Sequence, residues 1–375
     1  MMVLFLALLP IMAVAQDTGP SFRATTRVVE VSVVATRSGD KPVDDLRPGE
    51  LRLFDNNQEQ TIVSFEKRGS PGQGPVDADS PPPSRVLQKR PCIIVLDALN
   101  TAWSDQNYGR EGVLRMLETL PPGDHIAIFA LGDRLRLLHD FSTDYAALRN
   151  SVTSYNGELP SGGDQDSSAA QDPNSAQFRI PGQVVAPMAG LAPDAVFYQE
   201  QRIRNTLNAL TLISDTVKRF AGEKELLWVS AAFPLEVRTN MGGQPQEESF
   251  HEDVERAMRE VTNANIVLYP IDPRGVLGSF DIARTSTMEE LAEQTGGRAW
   301  YGDNDVSYLI RAAMGDSRHG YLLTYTPKTY GEDGSFHQIR LKTSRKGVRL
   351  RYRVGYIAEA PSMLTRPREH RKDPR

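Results

Sequence analysis

The chain has 375 residues, 39% of them hydrophobic and 24% charged, with a formal net charge of -5. That length supports two or three domains with cores of their own, and the acidic balance speaks against a nucleic-acid binder, which presents a basic face. A single cysteine, Cys92, excludes an internal disulfide and any cysteine-rich metal site. Its neighbours Ile93, Ile94, Val95 and Leu96 mark it as a buried structural thiol.

Met1 to Ala15 carry no charge and hold the run Val3-Leu4-Phe5-Leu6-Ala7-Leu8-Leu9, ending at Ala13-Val14-Ala15. A short apolar run followed by a small-x-small pattern is a signal peptide, here over residues 1–15 with cleavage after Ala15. The run is shorter than the ~20 apolar residues that span a bilayer. The expectation is a secreted or periplasmic chain whose mature form lacks a transmembrane segment.

Residues 16–68 read as an N-terminal β module. Val29, Val31, Val33 and Ala35 alternate on one face, Leu51 and Leu53 follow, and Val63 and Phe65 share a face after the turn at Asp55-Asn56-Asn57. Residues 69–89, rich in Gly, Pro and Ser, are a linker. Residues 90–317 alternate strands with helices. Cys92 to Leu96 is a continuous apolar run of the kind buried on both sheet faces. Val113, Met116, Leu117 and Leu120 have helical spacing, and Pro121-Pro122-Gly123 stops that helix.

Strands are expected over His125 to Leu131 and Arg134 to Leu138, with a helix over Asp144 to Val152. Residues 155–194, poor in aromatics and rich in Gly, Ser and Asp, read as a mobile insertion. Helical order resumes with Ile203, Leu207, Leu210, Ile213 and Val217. Next come a strand over Glu225 to Ala231, a helix through Val254 and Met258, and a strand over Asn265 to Ile271. Ser286 with Glu289 forms a capping box for a further helix. A strand over Arg298 to Tyr301 and a helix from Val306 to Ala313 complete the domain. This order predicts a doubly wound, mostly parallel sheet with helices on both faces, whose ligands sit at the carboxyl ends of the strands.

Residues 318–357 return to β alternation in Tyr321, Leu323 and Tyr325, then Ile339 and Leu341. In the last strand Val348, Leu350, Tyr352, Val354 and Tyr356 face one way while Arg349, Arg351 and Arg353 face solvent. A lone small sheet is marginal in water, so the two β ends are expected to pair into one sandwich around the α/β domain. Residues 358–375 form a basic tail.

Ile93-Ile94-Val95-Leu96-Asp97 and the polar loop after it resemble the first strand and ion-site loop of von Willebrand factor type A domains. Leu120–Asp144, Asn263–Val276 and Met288–Tyr301 are more specifically similar to the exported von Willebrand A-related proteins known mainly from acidobacteria, as are Val31–Glu66 and Gly320–Pro327 on the flanks. The resemblance implies the fold and a site for a divalent cation held by oxygen ligands. Its pattern is Asp-x-Ser-x-Ser after the first strand, a Thr from a second loop and an Asp after the fourth strand. Asp97, Thr101 and Thr206 match it and are the candidate metal ligands. Leu99 and Ser230 interrupt it, and Asp133 and Asp272 lie on neighbouring carboxyl-end loops as further acidic candidates. The alternative role for Asp97 is to cap the helix near Ala102 or to bind loop amides. No cofactor is expected beyond weak Mg²⁺ or Ca²⁺ binding, no tighter than roughly millimolar.

No HExxH, P-loop or G-x-S-x-G motif is present, the glycines at 69, 72 and 74 fall in the linker, and His251-Glu252-Asp253 reads as a solvated helix face. The expectation is a non-catalytic adhesion-type protein that binds a protein partner. A metal-dependent adhesin and a hydrolase without a recognisable motif are the alternatives.

Overall fold

The computed structural model describes residues 28–68, 91–159, 193–233, 236–241, 244–276, 282–328 and 334–358. The signal peptide, the linker, most of the insertion and nearly all of the basic tail lie outside them. Among the described residues no helix is long and apolar enough to cross a membrane.

The central sheet is built from β6 (Cys92–Asp97), β7 (Ile126–Leu131), β9 (Lys224–Val229) and β12 (Ile266–Ile271), buried along their whole lengths. They run parallel in the order β12-β9-β6-β7. β8 (Leu135–Ser142) closes the β7 edge antiparallel, so the sheet is mixed. The strand expected over Arg298 to Tyr301 is a single parallel bridge between Ile271 and Trp300.

The helices are α1 (Trp103–Thr119), α2 (Tyr145–Thr153), α3 (Pro193–Val217), α4 (His251–Asn263), α5 (Ile282–Thr295) and α6 (Val306–Arg318). Strand alternation divides β6 between two cores. Ile93 and Val95 join Leu210 of α3, Met258 of α4 and Leu291 of α5, whereas Cys92, Ile94 and Leu96 join Met116 of α1, Leu148 of α2 and Ile310 of α6. Each large apolar side chain so buried contributes about 1.5–3 kcal/mol. Asp144 caps α2 by accepting from the Ala146 and Ala147 amides at 3.0 and 3.1 Å, and Asp305 caps α6 through Tyr308.

Two boundaries differ from expectation. α3 begins at Pro193, ten residues before the first apolar position of its stripe, and the segment from Tyr155 to Leu159 is described, with Tyr155 buried in the core. Ser286 does not start α5. The helix is already under way, and the Ser286 hydroxyl donates to the Ile282 carbonyl one turn back, at 2.6 Å.

Of the remaining strands, β10 (Glu236–Met241) and β11 (Gln244–Ser249) pair as an antiparallel hairpin, and the others form two antiparallel sheets that draw on segments before and after the α/β domain. In the first, β1 (Val29–Arg37) pairs β13 (Tyr321–Tyr325), which pairs β5 (Ile62–Lys67); β15 (Arg349–Arg351) and β2 (Lys41–Pro42) flank β1. In the second, β14 (Phe336–Thr343) lies between β3 (Leu51–Asp55) and β16 (Gly355–Ile357), with β4 (Gln58–Gln60) outside β3. Val31, Val33, Leu53, Leu323, Ile339 and Leu341 fill the core between them. Val63 falls at a bulge where β5 slips against Thr324 and Tyr325, so it faces solvent and does not share the face of Phe65.

Asp55 is buried in this core, where it accepts from the hydroxyls of Tyr325 at 2.9 Å and Tyr356 at 2.8 Å and lies 2.8 Å from His337 Nδ1. The carboxylate therefore links β3, β13, β14 and β16.

The last strand is not continuous. It breaks at residues 352–354 and changes sheets, and two of the three arginines meet partners at the junction with the α/β domain. Arg349 stays exposed, but Arg351 pairs with Asp316 at the end of α6 and donates from Nε to the Gly296 carbonyl at 3.1 Å. Arg353 donates to the Glu30 carbonyl at 2.6 Å and to Asn265 at 3.4 Å. Arg68 pairs with Glu223 at 3.2 Å across the same junction, and Ser32 bonds Glu223. Gly296, at φ +83°, admits this contact because a Cβ there would sit 2.8 Å from the Arg353 nitrogen. Glu223, Asn265 and Gly296 all lie beside the amino ends of the sheet strands.

Candidate functional site

At the carboxyl edge, β6 ends on Asp97, β9 is followed by Ser230 and β12 by Asp272. The three residues predicted as ligands come close together there, but as parts of a hydrogen-bond network. Asp97 Oδ1 accepts from the Asn100 amide at 3.0 Å. Asp97 Oδ2 accepts from Asn100 Nδ2 at 2.9 Å, Trp228 Nε1 at 2.9 Å and the Ser230 hydroxyl at 2.8 Å. Thr206 on α3 accepts from Asn100 Nδ2 at 2.8 Å and donates to the Arg202 carbonyl. Thr101 accepts from the Ala231 amide at 3.1 Å. Burial pushes the Asp97 carboxyl up from its ordinary value, and the hydrogen bonds from Asn100, Trp228 and Ser230 oppose that.

Asp97 thus binds a loop amide, as the alternative reading had it, but it does not cap α1. That helix has Ala102 at its N-cap and no side-chain cap bond. Leu99 packs into the core beside α3. Asp272 is held by Arg274, which contacts both carboxylate oxygens at 2.7–3.2 Å and donates its amide to Oδ1 at 2.9 Å. Asp133 lies at the surface. A hard cation takes six to eight oxygens. Here the one buried carboxylate of the first loop is surrounded by N–H and O–H donors, a set that does not fit a bound ion. Among the described residues no three His, Cys, Asp or Glu side chains are grouped to hold a metal.

Beside this network lies a cavity of about 230 Å³, lined by Leu96, Trp103, Gln106, Tyr155, Val229 and Pro273 among others. Gln106 keeps it open. Its Nε2 donates to the carbonyls of Ala98, Thr101 and Glu158 at 2.8–3.1 Å, while its Oε1 accepts from the Glu158 amide. α1 comes close to the sheet at the cavity floor, where a Cβ on Gly109 would lie 2.9 Å from Val229. Burial pushes the Tyr155 hydroxyl up to about 12.

Of the large apolar side chains that line the cavity, Trp103 is also exposed to solvent. Trp103 and Tyr108 in the first turns of α1, Leu159, Phe197 near the start of α3, Val276 after β12, Ile282 at the start of α5 and Tyr308 at the start of α6 are all exposed. Trp103 and Tyr108 lie on the helix that follows β6 and Val276 on the segment that follows β12, whereas Leu159 comes after α2 and Phe197 lies on the helix that leads into β9. Elsewhere, His251 sits exposed on α4 and pairs with Glu255, as a solvated face does, and Cys92 is buried with its thiol pushed well up by desolvation.

Asn100, Trp228 and Gln106 carry much of this site and are not singled out by the sequence. For Trp228 a signal exists: a buried indole N–H requires an acceptor, and Asp97 is the acidic residue at the end of a neighbouring strand.

No family model matches the chain, and no curated protein matches it. Among solved structures, the chain is similar to an aerotolerance-related membrane protein from Bacteroides fragilis, at 12% identity over 61% of this chain and 98% of that one, with a TM-score of 0.35. It is also similar to the PilB minor pilin of Streptococcus sanguinis, at 9% identity over 62% and 61%, with a TM-score of 0.36. A third similarity is to the manganese-loaded TRAP protein of Plasmodium vivax, at 10% identity over 71% and 93%, with a TM-score of 0.30. Alignments at these scores fix neither family, ligand nor partner.

Proposed function

We propose that this chain is an exported, non-catalytic, adhesion-type binding protein that takes a protein partner on the carboxyl edge of a von Willebrand A-like domain, without a cation. The observation that carries the reading is a cavity at that edge, lined by Leu96, Trp103, Tyr155, Val229 and Pro273, with Trp103 and Tyr108 exposed on the helix that leaves β6. Exposed apolar side chains gathered on one face mark interaction surfaces, whereas single ones scattered elsewhere do not. The position agrees with the sheet. From β6 the chain proceeds through β7 to β8 on one side and through β9 to β12 on the other, and the crevice where the order reverses is where open α/β sheets bind. The same order supports the doubly wound, von Willebrand A-like reading. Export rests on the Ala13-Val14-Ala15 pattern, and the lack of catalysis on the absence of a known motif in the sequence.

The test uses residues 16–375 as bait against envelope extract, comparing the unaltered chain with a Trp103→Glu/Tyr108→Glu double variant and a Leu137→Glu control. Leu137 is equally exposed but lies on β8 at the sheet's side. A partner retained by the control and lost by the double variant supports this surface. Equal capture by all three places binding elsewhere.

A further inference from the structure

We infer that the side-chain amide of Asn100 takes the place that a divalent cation holds in an ion-dependent site, so that the first loop is organised by an internal donor and needs no ion. One atom carries the inference. Asn100 Nδ2 lies 2.9 Å from Asp97 Oδ2 and 2.8 Å from Thr206 Oγ1, and so joins the end of β6 to α3, which are 106 positions apart in the case of Asn100 and Thr206. These are two of the three oxygens that the sequence offers to a metal. A bound ion draws such oxygens together by accepting their lone pairs; an amide NH₂ does the same with two hydrogens. The amide's orientation follows from its partner, because a carboxylate only accepts and therefore requires the nitrogen side of Asn100.

The surroundings complete the replacement. Trp228 is fully buried and its indole nitrogen, a donor only, points at Asp97 Oδ2 from 2.9 Å. A cation on that oxygen would meet the N–H bond rather than a lone pair. Ser230 Oγ lies 2.8 Å from the same oxygen and 2.7 Å from the Ala232 carbonyl, and shares its one hydroxyl hydrogen between them. Thr101 directs its oxygen at the Ala231 amide and so links the β6 loop to the β9 loop. The cross-links that an ion would supply between three loops are thus made by an amide, two hydroxyls and an indole. Together they stabilise a buried carboxylate that desolvation alone would drive toward its protonated form.

The test is thermal unfolding of the whole mature chain in chelator and in millimolar Mg²⁺ or Mn²⁺, with free Mn²⁺ followed by its paramagnetic resonance signal. The unaltered chain is expected to keep one Tm in all three conditions and to leave the Mn²⁺ signal undiminished. Asn100→Asp sets a second carboxylate against Asp97. Its Tm should fall in chelator and recover with either ion, and it should bind Mn²⁺ at least about tenfold more tightly than the parent, since anionic oxygen ligands set affinity at such sites. Asn100→Ala should lose stability that no ion restores. A Tm of the unaltered chain that rises with Mg²⁺ or Mn²⁺ overturns the inference, as does an Asn100→Asp protein indifferent to both. Should Asn100→Asp not accumulate folded, the unaltered chain decides by itself: a constant Tm upholds the inference and an ion-dependent one overturns it. The result is separate from partner capture, because a chain that ignores ions and also captures nothing sinks only the binding proposal.

Discussion

Asp97 and Asp55 are both buried carboxylates, one in each region of the molecule, and both are held by hydrogen bonds from side chains distant in sequence. Asp97 takes its donors from within the α/β domain, at an edge that opens to solvent beside a cavity. Asp55 lies in the closed core of the β sandwich, and its partners Tyr325, His337 and Tyr356 are 270, 282 and 301 positions away. The first arrangement shapes a surface. The second fastens the β segment before the α/β domain to the one after it.

The sharpest way to break that contrast is Asp55→Ala. It strands two buried hydroxyls and a histidine in the sandwich core, at an expected cost of about 3–5 kcal/mol. Chemical denaturation followed by two probes should show the sandwich melting first, while the fluorescence of Trp103, Trp228 and Trp300, all in the α/β domain, reports a domain still folded. Coincident loss of both signals would mean that the regions unfold as one.

The junction offers a smaller and pH-dependent effect. Lys224 is buried at the start of β9, where it donates to the Ala264 carbonyl at 2.7 Å, and burial lowers it from its ordinary 10.5 to about 8. The folded chain therefore releases this proton before the unfolded chain does. Below about pH 8 the buried charge costs on the order of 2–3 kcal/mol, and that cost disappears as pH rises from about 8 to 10.5. Stability of the unaltered chain relative to Lys224→Met should rise across that window, as read by denaturant titrations at each pH. A flat difference would show that Lys224 is not desolvated.

The smallest effect separates two arginines of one strand. Arg351→Ala removes a largely buried pair with Asp316 and a bond to Gly296, and should cost about 2 kcal/mol. Arg349→Ala, whose pair with Asp40 is exposed, should change stability by less than about 0.5 kcal/mol. Equal losses would return Arg351 to the solvated face that alternation assigns to it.

Those arginines also mark where the sequence stops being legible. The buried strand through Ile93 to Leu96, the alternation of Val29, Val31 and Val33, and the helix through Val254 and Met258 are set by local periodicity and are found in the structure. Alternation fails at Arg353 because the chain changes sheets between β15 and β16, and at Val63 because of a bulge, while Arg351 keeps the face of Arg349 but meets Asp316 and Gly296 of the α/β domain there. Ser286 satisfies the spacing of a capping box, yet nothing local says that the helix starts a turn earlier. At the site, Asp97 is recognisable by its place after an apolar run. Its bonds to Trp228 and Ser230 span 131 and 133 positions, and only the folded sheet brings those residues to it.

The junction through Arg68, Arg353 and Gly296 gives the molecule a direction. The sandwich sits against the amino ends of the sheet strands, and the cavity lined by Trp103 lies at their carboxyl ends. A molecule held on the sandwich and one held at that cavity would therefore stand the full height of the sheet apart.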